Sequence, residues 1–485
     1  MRRSLASILE GFPAVRPADP VAFAGLAGRL GAARRMLVVL DDDPTGTQSV
    51  VDLPVLARWR VEDLEWAIDS GAPAAYVLTN SRALEARAAE QVNREVVAAA
   101  VTAGRSRGVG IAFVSRSDST LRGHFPLEPD VISDALVEAG EPRPSGVVLV
   151  PAFPEAGRVT VGGVHYAGAR DGYAPVGESE FARDPTFGYR SSRLADWVEE
   201  RSGGGISAAS VVEIGLETNR SGPEAVAEAL RAAGDGSTIV VDAVEEDDLR
   251  QFALGLDLVE AEGRSYVYRV GPPFVRARIG QERREPLDAA EFADPVSGGG
   301  SRGLPASRGG LVVVGSHVGL TSRQLEHLVA QRPEARVVEL DVPAVLDPAT
   351  ARDALDEATL AVVRGLEEGD AILHSSRTLI RADDPEESLA ISRAVSDALV
   401  QIVRRAVALT RPRFVVAKGG ITSSDVATRG LSIARAVVRG SLFPGIVSLW
   451  EPADGPAQGI PYVVFAGNVG AEATLAEAVE KLSER

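Results

Sequence analysis

The chain has 485 residues, 45% of them hydrophobic, which is long enough for two or three domains with proper cores. Its 51 basic and 68 acidic residues give a formal charge of −17, which argues against general binding of nucleic acids or anionic membranes. The absence of cysteine excludes disulfides and thiolate chemistry, and the five histidines lack the spacing of a zinc motif. Without a signal-peptide pattern or an apolar run of membrane-spanning length, we expect a soluble, cytoplasmic protein.

Two charged turns follow predicted buried strands in the first third of the chain. Residues 36–40 lead into Asp41, Asp42 and Asp43, and residues 111–114 lead into a turn that contains Arg116, Asp118 and Arg122. In an open α/β sheet, ligands bind beyond the carboxyl ends of the strands, so we expect both turns at one pocket. Carboxylates and guanidinium groups together suit a small polyhydroxy acid. For either stretch alone, an ordinary turn or helix cap is the alternative.

Strands and helices alternate along most of the chain, which predicts an α/β protein with two doubly wound, mainly parallel sheets. The first series continues with strands at 75–78, 146–150, 210–214, 238–241 and 266–270 and helices at 82–103 and 225–233. The second has strands at 311–314, 336–340, 371–373, 414–416, 446–449 and 462–465. The domains are predicted at 1–284 and 311–485, joined by a Gly/Pro/Ser-rich linker or loop at 285–310. A GxGxxG match at Gly298, Gly300 and Gly303 has no preceding strand and is rejected as a dinucleotide site.

Three turns in the second half have the composition of anion-binding sites. The first is Gly315-Ser316, with Thr321 and Gln324 predicted as a capping box. The second is Lys418-Gly419-Gly420, with Thr422, Ser423 and Ser424 as cap candidates and Asp425 in the first helical turn. The third runs from Gly467 to Gly470. Free amides and hydroxyls at such turns bind phosphate, and since neither lysine lies in a Walker A motif, a nucleotide site of another kind is predicted.

Together these motifs resemble the four-carbon acid sugar kinase family over nearly the whole chain. Six elements carry the resemblance in chain order: Asp42-Asp43-Pro44-Thr45-Gly46, residues 116–123, Pro151-Ala152-Phe153-Pro154 with Gly157-Arg158, Gly315-Ser316, Gly419-Gly420-Ile421-Thr422-Ser423 and Gly467-Asn468-Val469-Gly470. Two positions depart from the family pattern. Ile421 replaces a usual acidic residue, and Ala466 stands where Lys-Ser commonly precedes the last Gly-Asn. These changes, with Asp41 and Pro44, indicate a distinct subfamily, so a longer or branched acid such as 3-oxo-isoapionate is an alternative substrate.

The resemblance implies an N-terminal acid-sugar-binding domain, a C-terminal nucleotide-binding domain, and phosphorylation of the terminal hydroxyl of threonate, erythronate or 3-oxo-tetronate with ATP and Mg²⁺. We expect Asp42 or Asp43 to be the base, and we favour Asp43 because it precedes a proline and is biased towards an extended backbone. The expected substrate-binding residues are Thr45, Arg82, Arg116, Asp118, Ser119, Arg122, Arg158 and His165. The expected nucleotide-binding residues are Ser316, Lys418, Gly419, Gly420, Ile421, Thr422, Ser423, Gly467, Asn468 and Gly470.

Several alternatives stay open at this point. Lys418 is expected to restore a cation near the phosphates. Asp118 and Glu128 are alternatively structural partners of nearby arginines, His165 is alternatively a satisfied loop histidine, and no metal ligand is assigned. A non-catalytic sensor of acid sugars is one rival function. A dehydrogenase is the other, but the sequence lacks the strand-linked GxGxxG motif and the acidic ribose partner that a dehydrogenase of this fold needs. The expected partners are ATP and the acid sugar, with a symmetric homodimer as the common expectation.

Overall fold

The computed structural model describes residues 2–169, 171–291, 307–316, 318–376 and 385–484. The chain forms two compact units, Met1–Arg283 and Arg284–Arg485, and each is described by itself. Of the predicted linker, residues 285–291 and 307–310 are described, and Leu287 is buried in the core of the second unit. The remainder, with the GxGxxG match, lies outside the described residues.

Parallel strands build the main sheet of the first unit. Its strands are β1 (Arg35–Asp41), β2 (Leu53–Leu56), β3 (Ala74–Leu78), β4 (Gly110–Arg116), β5 (Gly146–Val150), β6 (Arg158–Val161), β7 (Val164–Ala169), β8 (Gly172–Pro175), β9 (Val212–Ile214), β10 (Ser237–Val241) and β11 (Tyr266–Val270). The main sheet has the order β2-β3-β1-β4-β11-β5-β10-β9, and its pairs are parallel. A small antiparallel sheet has the order β6-β7-β8.

Helices cover this sheet because crossovers between parallel strands bring a helix back onto a sheet face. They are α1 (Leu5–Ile8), α2 (Pro20–Ala32), α3 (Val61–Asp69), α4 (Ala86–Arg107), α5 (Leu127–Glu138), α6 (Leu194–Arg201), α7 (Leu216–Ser221), α8 (Pro223–Ala232), α9 (Glu246–Ala261) and α10 (Pro272–Arg278). Apolar side chains of β1, β3, α4 and α5 form one of its cores. The central strands are apolar on both faces, as expected for a doubly covered sheet.

The second unit again alternates strands and helices, and its sheet is parallel except at one edge. Its strands are β12 (Leu311–Val314), β13 (Arg336–Leu340), β14 (Ala371–Ser375), β15 (Val415–Lys418), β16 (Arg435–Phe443), β17 (Ile446–Pro452) and β18 (Tyr462–Phe465), in the order β13-β14-β12-β15-β18-β17-β16. Its helices are α11 (Gly319–Gln331), α12 (Val342–Leu346), α13 (Ala351–Glu368), α14 (Pro385–Leu409), α15 (Gly420–Asp425) and α16 (Thr474–Ser483). Strands β16 and β17 form an antiparallel hairpin, and β17 pairs antiparallel with β18.

The α/β class and the mainly parallel sheets are confirmed, while several boundaries differ from the prediction. The helix predicted from residue 82 begins at Ala86, because Ser81–Ala83 form a 3₁₀ turn and Asn80 has a left-handed backbone with φ 49°. The strand predicted from residue 210 begins at Val212, because Ala208–Ser210 form another 3₁₀ turn. Strand β2, the small sheet β6 to β8 and the hairpin partner β16 were not predicted.

Candidate active site

Charged side chains meet at the carboxyl edge of the main sheet in the first unit. Strand β1 lies between β3 and β4, so the turns after these three strands are neighbours. Asp42 and Asp43 follow β1, Arg82 follows β3, and Asp118 follows β4. The structure thus brings the two predicted turns together. It also adds Arg82 from a third turn to the same cluster.

Arg116 is occupied by the aspartates of the first turn. Its guanidinium forms a buried ion pair with Asp41, and Nη2 lies 3.2 Å from Asp42 Oδ1. It also donates to the backbone carbonyl of Asp43. These contacts occupy the guanidinium, so the geometry assigns Arg116 to holding the aspartate turn rather than to contacting a substrate carboxylate.

Arg82 bridges both turns. Its Nη2 lies 2.6 Å from Asp43 Oδ2, its Nε 3.8 Å from Asp42 Oδ2, and its Nη1 3.6 Å from Asp118 Oδ1. Arg122 donates from Nε to Asp118 Oδ2 at 2.7 Å. Burial alone would raise the pKa of Asp118, but the charges of Arg82 and Arg122 hold it well below its usual value. Asp118 is therefore a fixed anion between two guanidinium groups.

Asp42 and Asp43 have different surroundings although they are adjacent. Asp43 has the expected extended backbone, with φ −152° and ψ 136°, and its carboxylate accepts hydrogen bonds from the backbone and hydroxyl of Thr45. Burial opposes its ionisation, but Arg82, Arg116 and Thr45 lower its pKa. By contrast, neither carboxylate oxygen of Asp42 accepts a hydrogen bond from the described residues. Burial raises the pKa of Asp42 to about 6, against the opposing charges of Arg82 and Arg116.

This difference identifies Asp42 as the better candidate for a general base. A base needs a lone pair that is not already hydrogen-bonded and a pKa near the working pH, and a carboxylate saturated by donors has neither. Asp42 is only 3% exposed, so this choice depends on its unpaired oxygens and its raised pKa and not on its exposure. Asp43 instead acts as the cap of the turn at Pro44–Ser49. The geometry does not favour the predicted choice of Asp43 over Asp42.

Arg158 carries a charge that nearby carboxylates do not neutralise. No carboxylate of a described residue lies within ion-pair distance of its guanidinium, and its Nε has no hydrogen-bond partner among those residues. The guanidinium stacks 5.3 Å from the ring centroid of Phe181, which Arg122 also approaches at 5.3 Å. Burial lowers the pKa of Arg158, which is the signature of a desolvated cation without a sufficient counter-charge.

His165 holds the loop that contains Asp118. It is fully buried, its Nε2 lies 2.8 Å from the carbonyl of Ser119, and its Nδ1 lies 2.9 Å from Thr160 Oγ1. Since a carbonyl only accepts, Nε2 carries the proton and Nδ1 accepts from the threonine hydroxyl. Burial lowers the pKa of His165 to about 4, so the ring is neutral. The structure therefore favours the alternative of a satisfied histidine, although His165 lies in strand β7 and not in a loop.

Two further buried charges support the cluster. Glu128 accepts from Ser81 Oγ at 2.5 Å and from Ser115 Oγ at 2.9 Å, so it ties the end of β4 to the turn after β3. Arg269 on β11 is 1% exposed and donates to the carbonyl of Arg122 at 3.2 Å. Sequence reasoning did not single out Arg269. The available signal was a cation inside the apolar run Tyr266–Val270.

In the second unit, the three predicted turns meet at one sheet edge. Strand β15 lies between β12 and β18, and the three strands are parallel. A Cβ on Gly467 would lie 2.7 Å from Ser316 Oγ, and one on Gly315 would lie 2.3 Å from Thr422 Oγ1. Gly419 has φ 123°, and a Cβ there would approach Ser316 and Thr422 at 3.1 and 3.0 Å. The glycines therefore leave the space that the side chains of Ser316 and Thr422 occupy between the turns.

The hydroxyl and amide side chains near these turns do not form the predicted caps. Thr321 and Gln324 lie inside α11 and donate to the carbonyls of Gly467 at 2.8 Å and Ala471 at 2.7 Å, so they hold the third turn. Ser423 donates to the carbonyl of Ala417, and the start of α15 has no side-chain cap. The capping-box and cap predictions are wrong because these side chains form tertiary contacts instead.

Residues around the second turn also differ from expectation. Asp425 is the last residue of α15 rather than part of its first turn, and it accepts from Ser396. Ile421 is 69% exposed, whereas Lys418 is fully buried. The Lys418 ammonium donates to the carbonyl of Ala466 at 2.7 Å and lies 3.7 Å from the centroid of the Phe465 ring. It therefore does not present a cation at the surface of the turn.

Comparison with known proteins gives independent information on both units. Residues 37–278 match the family model of a sugar-binding N-terminal domain, and residues 311–475 match that of a nucleotide-binding C-terminal domain. The chain is 32% identical over 346 residues to a D-erythronate kinase of Heliobacterium modesticaldum, which covers 68% of this chain and 69% of the relative. It is 27% identical to a D-threonate kinase of Bordetella bronchiseptica, over 92% of this chain and 97% of the relative. These similarities support a sugar-acid kinase.

Solved structures share the fold. One from Salmonella typhimurium LT2 has a TM-score of 0.66 over 92% of this chain and 98% of the other, and one from Haemophilus influenzae has 0.60 over 91% and 99%. Both are 19% identical in sequence, so the likeness concerns the fold alone. Among the described helices, none is long and apolar enough to cross a bilayer.

Proposed function

We propose that this chain transfers the γ-phosphoryl group of ATP to the terminal hydroxyl of a four-carbon acid sugar. The reason is that the chain belongs to the four-carbon acid sugar kinase family. The first unit would bind the acid sugar and the second would bind the nucleotide. The relatives that act on D-erythronate and D-threonate support this substrate class. A longer or branched acid stays an alternative substrate. The departures from the family pattern at Ile421 and Ala466 lie in the nucleotide unit, so they indicate a subfamily but do not identify its acid sugar.

The observation that carries the proposal is the buried Asp42 carboxylate. Its oxygens accept no hydrogen bond from the described residues, yet Arg82 and Arg116 lie close enough to favour its charged form. Phosphoryl transfer needs a group that orients the attacking hydroxyl and accepts its proton as the bond to phosphorus forms. Asp42 has an open acceptor and a pKa raised to about 6, and it supplies this group.

Arg158 would bind the carboxylate of the substrate. Arg82, Arg116 and Arg122 already pair with aspartates of the cluster, whereas Arg158 lacks such a partner among the described residues. A bound carboxylate would neutralise its charge and satisfy its unpaired Nε. The stacking of Arg158 on Phe181 orients the planar guanidinium for this contact.

The three turns of the second unit would hold the nucleotide phosphates. The hydroxyls of Ser316 and Thr422 lie next to the glycines of these turns, and hydroxyl groups there can donate to phosphate oxygens. The backbone amides of Gly315 and Gly419 already donate to the carbonyls of Lys418 and Phe465, so the amides at the start of α15 would be the ones to bind phosphate. The remaining members of the proposed site are Gly419, Gly420, Ile421, Ser423, Gly467, Asn468 and Gly470. No group of three or more acidic or histidine side chains among the described residues is arranged to hold a metal. Mg²⁺ would therefore be bound mainly by the nucleotide phosphates and water, where it neutralises phosphate charge.

The direct test is an ATP-coupled activity screen of the purified protein. The panel contains four- to six-carbon aldonates, their 3-oxo forms and branched acids, and ADP formation is the readout. We expect D-erythronate, D-threonate or a 3-oxo-tetronate to give the highest kcat/KM, with phosphate on the terminal oxygen by NMR. Binding of an acid sugar without nucleotide binding and without phosphorylation of any acid in the panel would contradict the kinase and favour a sensor.

A further inference from the structure

The second unit contains a buried lysine whose environment differs from that of an ordinary ion pair. Lys418 is fully buried, and in the part of the chain that the structure describes no carboxylate lies within ion-pair distance of its ammonium group. Its contacts are one carbonyl, that of Ala466, and the ring of Phe465. Burial of an ammonium group without a counter-charge is costly, and such costs are found mainly at functional sites.

Lys418 touches all three glycine turns. Its own carbonyl accepts from the backbone amide of Gly315 at 3.3 Å, which is the first turn. It directly precedes Gly419, which begins the second turn. Its side chain reaches Ala466, the residue before the third turn, at 2.7 Å. A single residue thus connects the three backbone segments that would surround the phosphates.

The residue type is also informative. Lys418 is one of only two lysines among the 51 basic residues of this arginine-rich chain. A position between a ring face at 3.7 Å and a carbonyl at 2.7 Å suits a compact ammonium, whereas a planar guanidinium is wider and forks. The lysine is therefore matched to the space between the Phe465 ring and the Ala466 carbonyl.

We propose that Lys418 is a positioning residue, which fixes the Gly467–Gly470 turn against the Gly419-Gly420 turn so that both can bind the same nucleotide phosphates. This inference rests on the proposed function of the second unit. It assigns Lys418 a role through the Ala466 carbonyl and not through direct contact with phosphate. Burial lowers the pKa of Lys418 to about 7, but the hydrogen bond to the carbonyl needs only an N–H, which a neutral amine also has.

The chain offers a matched control in Lys481. Its Nζ donates to the carbonyl of Leu442 at 3.1 Å and lies 5.7 Å from the centroid of the Phe443 ring, so it makes the same kinds of contact away from the turns. Lys418→Met and Lys481→Met each remove one ammonium from a carbonyl and a phenyl ring. Only the first should alter nucleotide binding.

The experiment compares MgATP binding to full-length wild type and both variants by calorimetry, together with steady-state kinetics. For Lys418→Met we expect Kd and KM for MgATP to rise about threefold to tenfold, the range of one lost hydrogen bond. The KM for the acid sugar should not change, and amide exchange should become faster at 467–471. Lys481→Met should behave as wild type. A purely structural role for Lys418 would lower the Tm without this selective effect on nucleotide.

The outcomes separate the two proposals. Wild-type protein that binds no MgATP would overturn the proposed function, and this inference with it. If wild type binds MgATP, and a folded Lys418→Met binds it within twofold of wild type, only the positioning role is wrong. Should Lys418→Met not fold, Lys418→Gln carries the same expectation, because the shorter side chain does not reach the Ala466 carbonyl.

Discussion

The two candidate sites both lie at the carboxyl edge of a mainly parallel sheet, but one consists of charged side chains and the other of glycine-rich turns. In the first unit, buried and half-buried charged side chains line the carboxyl edge and pair with one another, as the half-buried Arg82 and Asp43 do at 2.6 Å. In the second unit, glycines make room for the hydroxyl side chains of Ser316 and Thr422, and the only buried cation of these turns in the described residues contacts a carbonyl. Side chains would distinguish one small acid from another, whereas backbone amides suit phosphate, which every nucleotide carries.

The largest expected effect tests the side-chain site. Asp42→Asn keeps the size of the residue but removes the proton acceptor, so we expect kcat to fall by about two to four powers of ten. MgATP affinity, measured by calorimetry, should not change, because the nucleotide unit does not depend on this carboxylate. Asp43→Asn is the matched control and should lose less kcat, since Asn can still accept from Thr45. Wild-type kcat in both variants would remove the catalytic role from this turn.

The second prediction concerns recognition of the acid. Arg158→Ala should raise the KM for the acid sugar by about 10- to 100-fold, as expected for loss of a hydrogen bond to a charged group. The KM for MgATP should stay the same, and exposed Arg183→Ala serves as the control. Arg122→Ala should also raise the KM for the acid sugar far more than that for ATP, because Arg122 fixes Asp118 and shares Phe181 with Arg158. An unchanged acid-sugar KM in folded Arg158→Ala would place the carboxylate elsewhere.

The third prediction uses the raised pKa of Asp42, about 6. Asp42 must be ionised to accept a proton, and it is ionised above this pKa. We therefore expect kcat/KM to be level above the pKa and to fall as pH decreases through about 6, by roughly tenfold per unit further down. The pH profile of initial rates measures this acid limb, and Asp42→Asn should abolish it. A profile that stays level down to pH 4.5 would show that Asp42 is not the group that titrates.

The smallest expected effect tests the backbone site. Gly467→Ala places a Cβ 2.7 Å from Ser316 Oγ, so the serine must shift. We expect the KM for MgATP to rise by roughly fivefold, about 1 kcal/mol and the lower end of the cost of overpacking, with no change for the acid sugar. Gly369→Ala is the control, because nothing lies within 4 Å of its added Cβ. Equal effects of both substitutions would mean that close approach at the turns does not matter for nucleotide binding.

The sequence alone was sufficient for the fold class and for the position of most strands. Runs such as Gly146–Val150 and Leu311–Val314 are bounded as predicted, because a fully buried parallel strand needs a continuous apolar segment. The antiparallel strands were harder. In β16, buried and partly exposed residues alternate, and its identity as a strand depends on pairing with β17.

Sequence also placed both candidate sites at sheet edges, since polar residues directly after buried strands must lie at the carboxyl edge of the sheet. It could not assign the roles of individual side chains there. Thr321 and Gln324 have the spacing of a capping box but hold the turn at Gly467, because a distant carbonyl competes successfully with the helix start.

Patterning along the chain therefore determined the α/β architecture, the two sheet edges and the types of residue present at them. Tertiary structure alone decided that neither oxygen of Asp42 accepts a hydrogen bond from the described residues, and that Arg158, unlike Arg82, Arg116 and Arg122, has no paired carboxylate among them. It also decided that Lys418 is buried. The physical reason is that burial and hydrogen-bond partners come from segments far apart in the chain. Arg116 reaches Asp41 across 75 positions, and Lys418 reaches Ala466 across 48. The local sequence defines which groups can ionise or donate, but only the folded neighbours define which of them are already occupied.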